Sequence, residues 1–512
     1  MTEATNGGPS RRTVLGGLVA GVGVAAMSAF VAGCDSKGGK TATGSSTSSN
    51  APASDQSARD GSDANSAKAE AVEKLALQIL SMAPVKTAVE RGLKTLAASE
   101  DATKPDAMRY VKSAMDETAT LAALYSAMGG VPDPVFVWLF AGPRKWNGYT
   151  LPGSRWYADN TDTLYRGVRV QDTSSYEITV HPGPTLPTQL SVMMYDWLML
   201  ENGTSDTTDA PLGTFVVTDK TPRNPDGSIT VTAGPEPAGS SPNHLQFKPG
   251  IKQIFVREIR GDGSIPAVGL AVKRTKGAAP APMTLDQLAA DAANLIDKGV
   301  DATLRVSVVF GKLYENQLAP IRVRWAEGTT SAEQKMEPTE PLTPEKALGF
   351  ISSALFNLKD DEALVMTLNM LGTEYLSVNT YRPWLVSPEH VYATSSLNNF
   401  QAKANPDGSI TFVLSPKDPG VYNWLDVGGI PYGEIAVRWQ TLTRPVLPTL
   451  KEAAPLVKVV KLGNDLKAVL PPETTWVTPE ERQEQRDTRA KNYQLRCLGT
   501  PCEVGGGLDK PY

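Results

Sequence analysis

Asn224-Pro225-Asp226-Gly227-Ser228-Ile229-Thr230 recurs, 181 residues later (405 less 224), as the same seven residues from Asn405 to Thr411. Asp-Gly ahead of alternating apolar residues is a hairpin signal, because Asp and Gly tolerate the positive φ that a tight turn requires. The stretch after each copy repeats as well. The first leads to Asn243-His244-Leu245, Gly250 and Val256-Arg257; the second leads to Asn423-Trp424-Leu425, Gly429, Gly433 and Val437-Arg438. A hairpin, a loop and an arginine-bearing strand are therefore duplicated, with His244 standing where Trp424 stands in the second copy.

Outward from the repeat, alternating segments punctuated by Gly, Pro and Asn predict strands over Leu164–Val170, Tyr176–Val180, Leu190–Tyr195, Thr214–Val217, Ser228–Thr232 and Gln253–Ile259. Strands resume near Leu364 and continue to about Trp439. Many short strands separated by turns suit a sandwich or a barrel. Helices flank them. Val72, Leu75, Ile79 and Met82 keep helical spacing before Pro84 interrupts, and a second helix runs from Asp106 to Met128, closed by Gly129-Gly130. Together these two form a helical hairpin. Thr284 and Gln287 make a capping box for a helix striped by Leu285, Leu288, Ala292 and Leu295, with Gly299 as its stop. Thr343-Pro344-Glu345 starts another helix. Thr478-Pro479-Glu480-Glu481 opens a last one, polar nearly all round and so exposed or packed on a partner.

The N-terminal region carries an address. Ser10-Arg11-Arg12-Thr13-Val14-Leu15 precedes a Gly/Ala-rich run ending in Val31-Ala32-Gly33-Cys34. Arg11 and Arg12 read as a twin-arginine export signal, and Cys34 as the lipidated residue of a lipobox. The run contains only two Leu between Val14 and Gly33, too weakly apolar for a retained span of about 20 residues. Residues 35–65 are Ser, Gly, Thr, Ala, Asp and Asn, which bury too little surface to offset ordering entropy and form a tether. The expected organisation is a signal at 1–34, a tether at 35–65, a helical hairpin at 66–130 and a first β domain at 131–280. Next come a helical connector at 281–362, a second β domain at 363–445 and a helical tail at 446–512. The expected location is extracytoplasmic, tied to a bacterial membrane through Cys34.

Net charge is −5 with no basic tract beyond the signal, which argues against nucleic acid. The three histidines, His181, His244 and His390, do not cluster, and no Cys/His spacing suits zinc, so no metal or cofactor is expected. Cys497 and Cys502 are expected to form a short disulfide loop in an oxidising compartment. No Gly-x-Ser-x-Gly elbow, phosphate loop or His-Glu-x-x-His occurs in the mature region.

Several stretches resemble bacterial families known as domains of unknown function 1214 and 1254. Asp159-Asn160-Thr161-Asp162-Thr163-Leu164-Tyr165 is similar to their Asn-Pro-Asp-Thr-Leu-Tyr strand, with Thr161 in place of Pro, and Met194-Tyr195-Asp196 to their following Val-Tyr-Asp strand. Asp418-Pro419-Gly420-Val421-Tyr422-Asn423-Trp424-Leu425-Asp426 matches the 1214 pattern closely. The resemblance covers roughly residues 155–262 and 365–442. It implies an α+β chain with two β-sandwich, jelly-roll-like domains, and no established chemistry.

The candidate site residues are Asp162, Tyr165, Arg257 and Arg438, with Asp159 and Arg166 beside the first pair. The arginines read either as anion clamps or as buttresses paired with nearby carboxylates. The carboxylates read either as acid/base groups or as turn caps. Trp138, Trp197, Trp384, Trp424 and Trp439 read as core, or as stacking surfaces if exposed. The sequence favours a non-enzymatic lipoprotein that binds a glycan, an envelope protein or a second copy of itself. The alternative is an extracytoplasmic enzyme acting on a saccharide or polar polymer through Asp, Tyr and Arg.

Overall fold

The computed structural model of the chain describes residues 66–201, 211–315, 323–325, 348–446, 448, 452, 456–497 and 502–505. Arg11, Arg12, Cys34 and the tether lie outside the described residues.

Helix α1 (Ala67–Leu80) starts at Ser66, whose hydroxyl accepts from the Ala69 amide, and buries Val72, Ala76 and Ile79. Pro84 sits in the first turn of α2 (Ala83–Ala97), where its missing N–H costs nothing. Helix α3 (Ala107–Ala127) is buried along most of its length. Helix α4 (Leu285–Glu315) begins with the expected box: the Gln287 amide donates to Thr284 Oγ1 and the Thr284 amide to Gln287 Oε1. Gly299, expected as its stop, instead lies inside it. A Cβ there would stand 2.8 Å from Leu200 Cδ2 and 3.0 Å from Thr118 Cγ2, so the glycine admits a close approach to α3. Helix α4 is thus no mere connector: Leu288, Leu295 and Ile296 share one core with Leu121 and Leu124 of α3.

The duplication extends through two whole β bodies. In the first, β1 (Val137–Leu139), β4 (Thr163–Arg169), β6 (Gln189–Tyr195), β7 (Gly213–Val217) and β10 (Gln253–Ile259) form a sheet ordered β1-β4-β10-β6-β7. Facing it are β5 (Ser175–His181), β8 (Ile229–Gly234), β9 (His244–Gln246) and β11 (Gly269–Lys276), ordered β11-β5-β8-β9. Ile178, Val180, Val192, Val256 and Leu270 pack between the two sheets.

The second body repeats this strand for strand. Its larger sheet runs β12-β13-β19-β15-β16, from β12 (Val323–Trp325), β13 (Gly349–Asn357), β15 (Thr373–Tyr381), β16 (Ser396–Asn398) and β19 (Tyr432–Leu442). Its smaller sheet runs β18-β17-β14-β20, from β14 (Glu362–Leu368), β17 (Ile410–Ser415), β18 (Trp424–Asp426) and β20 (Leu456–Lys461). Leu364, Met366, Val378, Phe412, Val437 and Trp439 fill its core. The repeated Asp-Gly turn does not close the expected hairpin, since the strands on either side of it lie in different sheets; in both copies the two strands after it, β8–β9 and β17–β18, pair in parallel.

Two expected boundaries shift. The start of the Thr343 helix lies outside the described residues, and from Gly349 the chain is strand, because the second sheet needs β13 as the counterpart of β4. The tail is not purely helical either: β20 pairs with β14 as β11 pairs with β5. Beyond it come α5 (Asn464–Val469) and α6 (Pro479–Gln494), the latter opened by a Thr478/Glu481 capping box. The hairpin β2 (Arg144–Trp146) and β3 (Tyr149–Leu151) takes β21 (Cys502–Val504) as a third strand. The Cys497–Cys502 disulfide joins the end of α6 to that strand.

The repeated turn is the same down to its hydrogen bonds. Asn224 Nδ2 donates to Ser228 Oγ and Thr230 Oγ1, each at 2.9 Å, and Asn405 Nδ2 does so to Ser409 Oγ and Thr411 Oγ1, each at 2.9 Å. Gly227 and Gly408 hold φ of 84° and 83°, the left-handed backbone that an Asp-Gly turn requires.

Candidate functional site: a two-arginine pocket between the sandwiches

Alternation along β10 sends Val256 into the first sandwich and Arg257 out of it; along β19, Val437 points in and Arg438 out. Arg257 lies opposite Tyr165 on β4 and Ser191 on β6, and Arg438 opposite Ile351 on β13 and Ser377 on β15. The two outward faces meet across the segment from Trp156 to Asp162. Arg257, Arg438, Tyr165 and Asp159 line one pocket there, walled by Phe140, Trp156, Tyr195 and Phe255. Its empty volume is about 480 Å³, including its open mouth.

The pocket wall is held in strained backbone. Phe140, Tyr157 and Ala158 have φ of 49°, 60° and 54°, a region bulky L-residues avoid at a cost of about 1–2 kcal/mol each. The second sandwich grips the 157–159 segment. The Ala158 amide donates to Leu385 O at 2.8 Å, Arg438 Nη2 donates to Ala158 O at 2.6 Å, and the Tyr381 hydroxyl donates to Asp159 O at 2.8 Å.

Most of the other buried guanidiniums meet a carboxylate, whereas Arg496, like the pocket pair, meets none among the described residues and donates to Thr161 O. Arg144 pairs with Glu73 at 2.5 Å, Arg166 with Glu258 at 2.5 Å, and Arg155 with Glu117. Arg257 and Arg438 are each only 4% exposed, yet among the described residues neither has a carboxylate oxygen within 4.0 Å. Arg257 Nη2 reaches the Tyr165 hydroxyl at 3.5 Å, its guanidinium stands 5.2 Å from that ring's centre, and its Nε has no hydrogen-bond partner. Arg438 Nη2 donates to Ala158 O and to the Tyr381 hydroxyl at 3.1 Å, and its Nε is unpartnered. A buried charge is costly unless paired, and arginine cannot shed its proton to escape.

Asp159 completes the pocket. Its Oδ1 is buried without a hydrogen-bond partner, and Oδ2 has only a 3.5 Å contact from Ser387 Oγ. Burial pushes its carboxyl up to about 7, with Arg155 opposing and Glu117 adding to the rise.

Of the four candidates, the structure brings Tyr165, Arg257 and Arg438 together and leaves Asp162 out. Asp162 accepts from the Tyr375 hydroxyl and from Asn398 Nδ2, each at 2.8 Å, and so ties the two sandwiches together. Arg166 turns into its own sandwich to meet Glu258 and Val268 O. His390 lies outside the pocket, with Nδ1 3.1 Å from Pro388 O and Nε2 3.3 Å from the Tyr493 hydroxyl, and burial lowers its pKa well below the usual value. Trp138, Trp197, Trp384, Trp424 and Trp439 are all buried. Among the described residues, no three His, Cys, Asp or Glu side chains gather as a metal site. Phe140, Trp156, Tyr195 and Phe255 are invisible as site residues in the sequence. They come from separate segments, and no local pattern marks them.

The family model described as "Protein of unknown function (DUF1214)" matches residues 157–258 and 374–438, one stretch in each sandwich. The matched stretches hold Asp159, Tyr165, Arg257 and Arg438. Among solved structures, an uncharacterised protein from Burkholderia cenocepacia aligns with a TM-score of 0.55 at 19% identity, over 76% of this chain and 99% of that one. A protein from Vibrio parahaemolyticus aligns with a TM-score of 0.34 at 13% identity, over 59% of this chain and 90% of that one. No curated protein matches the sequence.

Proposed function

We propose that the protein is an exported lipoprotein, anchored through Cys34, whose two sandwiches clasp a small organic anion between Arg257 and Arg438. The observation that carries this reading is the pair itself: two buried guanidiniums without carboxylate partners on one pocket. A carboxylate or phosphate of the ligand supplies the missing charge through charge-assisted hydrogen bonds. The Phe140, Trp156, Tyr195 and Phe255 rings offer an apolar wall for the rest of the molecule. The twin-arginine signal at Arg11 and Arg12 and the 35–65 tether support a site of action outside the cytoplasm.

Thermal unfolding of the full chain in detergent, with a panel of mono- and dicarboxylates and phosphate monoesters, tests this reading. A ligand at 100 times its Kd raises stability by about 2.7 kcal/mol. The shift is expected to vanish in Arg257→Gln and Arg438→Gln. If no organic anion stabilises the wild type, the reading is wrong.

A second reading is catalytic. Asp159 is poised near neutrality beside the same arginines, as a general acid or base would be. It predicts turnover of a bound polar polymer that Asp159→Asn abolishes without weakening binding.

A further inference from the structure

The polar helix α6 and an exposed tryptophan form a second concave surface, on the second sandwich, which shares no lining residue with the arginine pocket. One wall is the helix face Glu484, Gln485, Thr488 and Asn492, spaced so that all four look the same way. The other wall is aromatic: Phe400 is 52% exposed, Trp476 is 43% exposed and Tyr422 is half-buried. Large exposed rings are rare here, since the other tryptophans whose side chains the structure describes are buried.

Both walls are rigidly mounted. The Tyr422 amide donates to Thr475 O and the Val477 amide to Gly420 O, each at 2.8 Å, which pins the Trp476 backbone against residues 420–422. Arg482 ties α6 to the same loop through Asp418 at 2.9 Å and Tyr422 O at 3.2 Å. Arg489 ties it to Ser396 at 2.6 Å and Gln401 at 3.1 Å. The Glu484, Thr488 and Asn492 side chains make no hydrogen bond among the described residues and keep their full capacity for a ligand. Charge on the lining cancels, with Glu481 and Glu484 against Lys403 and Arg489. The groove therefore selects neither anion nor cation.

We infer that this groove binds a neutral saccharide. A sugar ring has an apolar C–H face for Trp476 and Phe400 and a rim of hydroxyls for the amide, hydroxyl and carboxylate groups of α6. Trp476 is also the reporter, because an exposed indole changes its fluorescence when a ring covers it.

The test titrates the full chain in detergent with tetrasaccharides of β-1,4-glucose, α-1,4-glucose and N-acetylglucosamine, and with an uncharged phenylalanine-containing tetrapeptide. A saturable fluorescence change with at least one sugar is expected. Affinity, measured by titration calorimetry because Trp476→Ala removes the reporter, should fall at least ten-fold in Trp476→Ala, and also in Glu484→Ala/Asn492→Ala, whose wholly or partly exposed helix positions leave folding intact by circular dichroism. Arg257→Gln should bind the sugar normally, which separates this groove from the anion pocket. The inference fails if no sugar gives a saturable change, if the peptide alone does, or if the helix double variant binds as the wild type does.

Discussion

Arg257 and Arg438 occupy the same place in two copies of one sandwich, each opposite a serine of the neighbouring strand, yet both line a single pocket. Duplication followed by face-to-face packing of the copies turns one outward arginine into a pair. The first sandwich and its loops line the pocket, with the strained segment between Trp156 and Asp159 as part of its wall, and the second sandwich contributes Arg438.

The pair makes a prediction about stability. Arg257 gains little from its surroundings, so Arg257→Met should leave the unliganded melting temperature unchanged or raised. Arg438 donates two charge-assisted hydrogen bonds that hold the 157–159 segment, so Arg438→Met should cost about 1.5–3 kcal/mol. Arg166→Met is the contrast: it removes the close ion partner of buried Glu258, which keeps the Val268 amide at 3.1 Å and Arg260 at 4.0 Å, and should cost about 3 kcal/mol. Denaturant unfolding of the three variants checks the order. An Arg257→Met loss as large as that of Arg166→Met would contradict the account of an uncompensated charge.

The disulfide makes a second prediction. Cys497 and Cys502 are five residues apart and close a short loop, which in the chain-entropy account is worth about 2 kcal/mol. The double Cys→Ser variant should melt a few degrees lower. Hydrogen exchange should rise first in β21 and then in its partner β2, because β21 is the strand the bond holds in place.

The repeat discloses most of the architecture. The Asn-Pro-Asp-Gly-Ser-Ile-Thr turn locates the start of β8 and of β17, although it leads from one sheet of each sandwich to the other and closes no hairpin, and β10 spans the predicted Gln253–Ile259. Strand β20 is hidden in the sequence because Lys458 and Lys461 interrupt its apolar pattern, and only its pairing with β14 reveals its role. Gly299 misleads because glycine ends helices when it adopts positive φ, but here it serves close packing. At the site, the equivalence of Arg257 and Arg438 is legible from sequence; their convergence is not, because it depends on how the copies pack. The same holds for Asp162, whose partners Tyr375 and Asn398 lie more than 200 residues away.

Asp159 and His390 predict opposite pH dependences over one window. Asp159 has a folded value of about 7 against 3.8 for the free side chain, so between these values the native state holds more proton than the unfolded state. Its contribution therefore falls as pH rises from about 4 to 7, by up to about 1.4 kcal/mol per pH unit. His390 is a base held neutral by burial, so below its free value of 6.5 the unfolded state takes up a proton that the native state does not. Its contribution falls as pH drops below 6.5. The two slopes oppose each other below pH 6.5, so the two groups offset each other there in the wild type. Asp159→Asn should expose a stability that rises with pH across this window. His390→Gln should expose one that falls, and the double variant should lack both contributions. Urea unfolding at half-unit pH steps reads all three, and parallel curves for wild type and both single variants would show that neither group titrates as its burial requires.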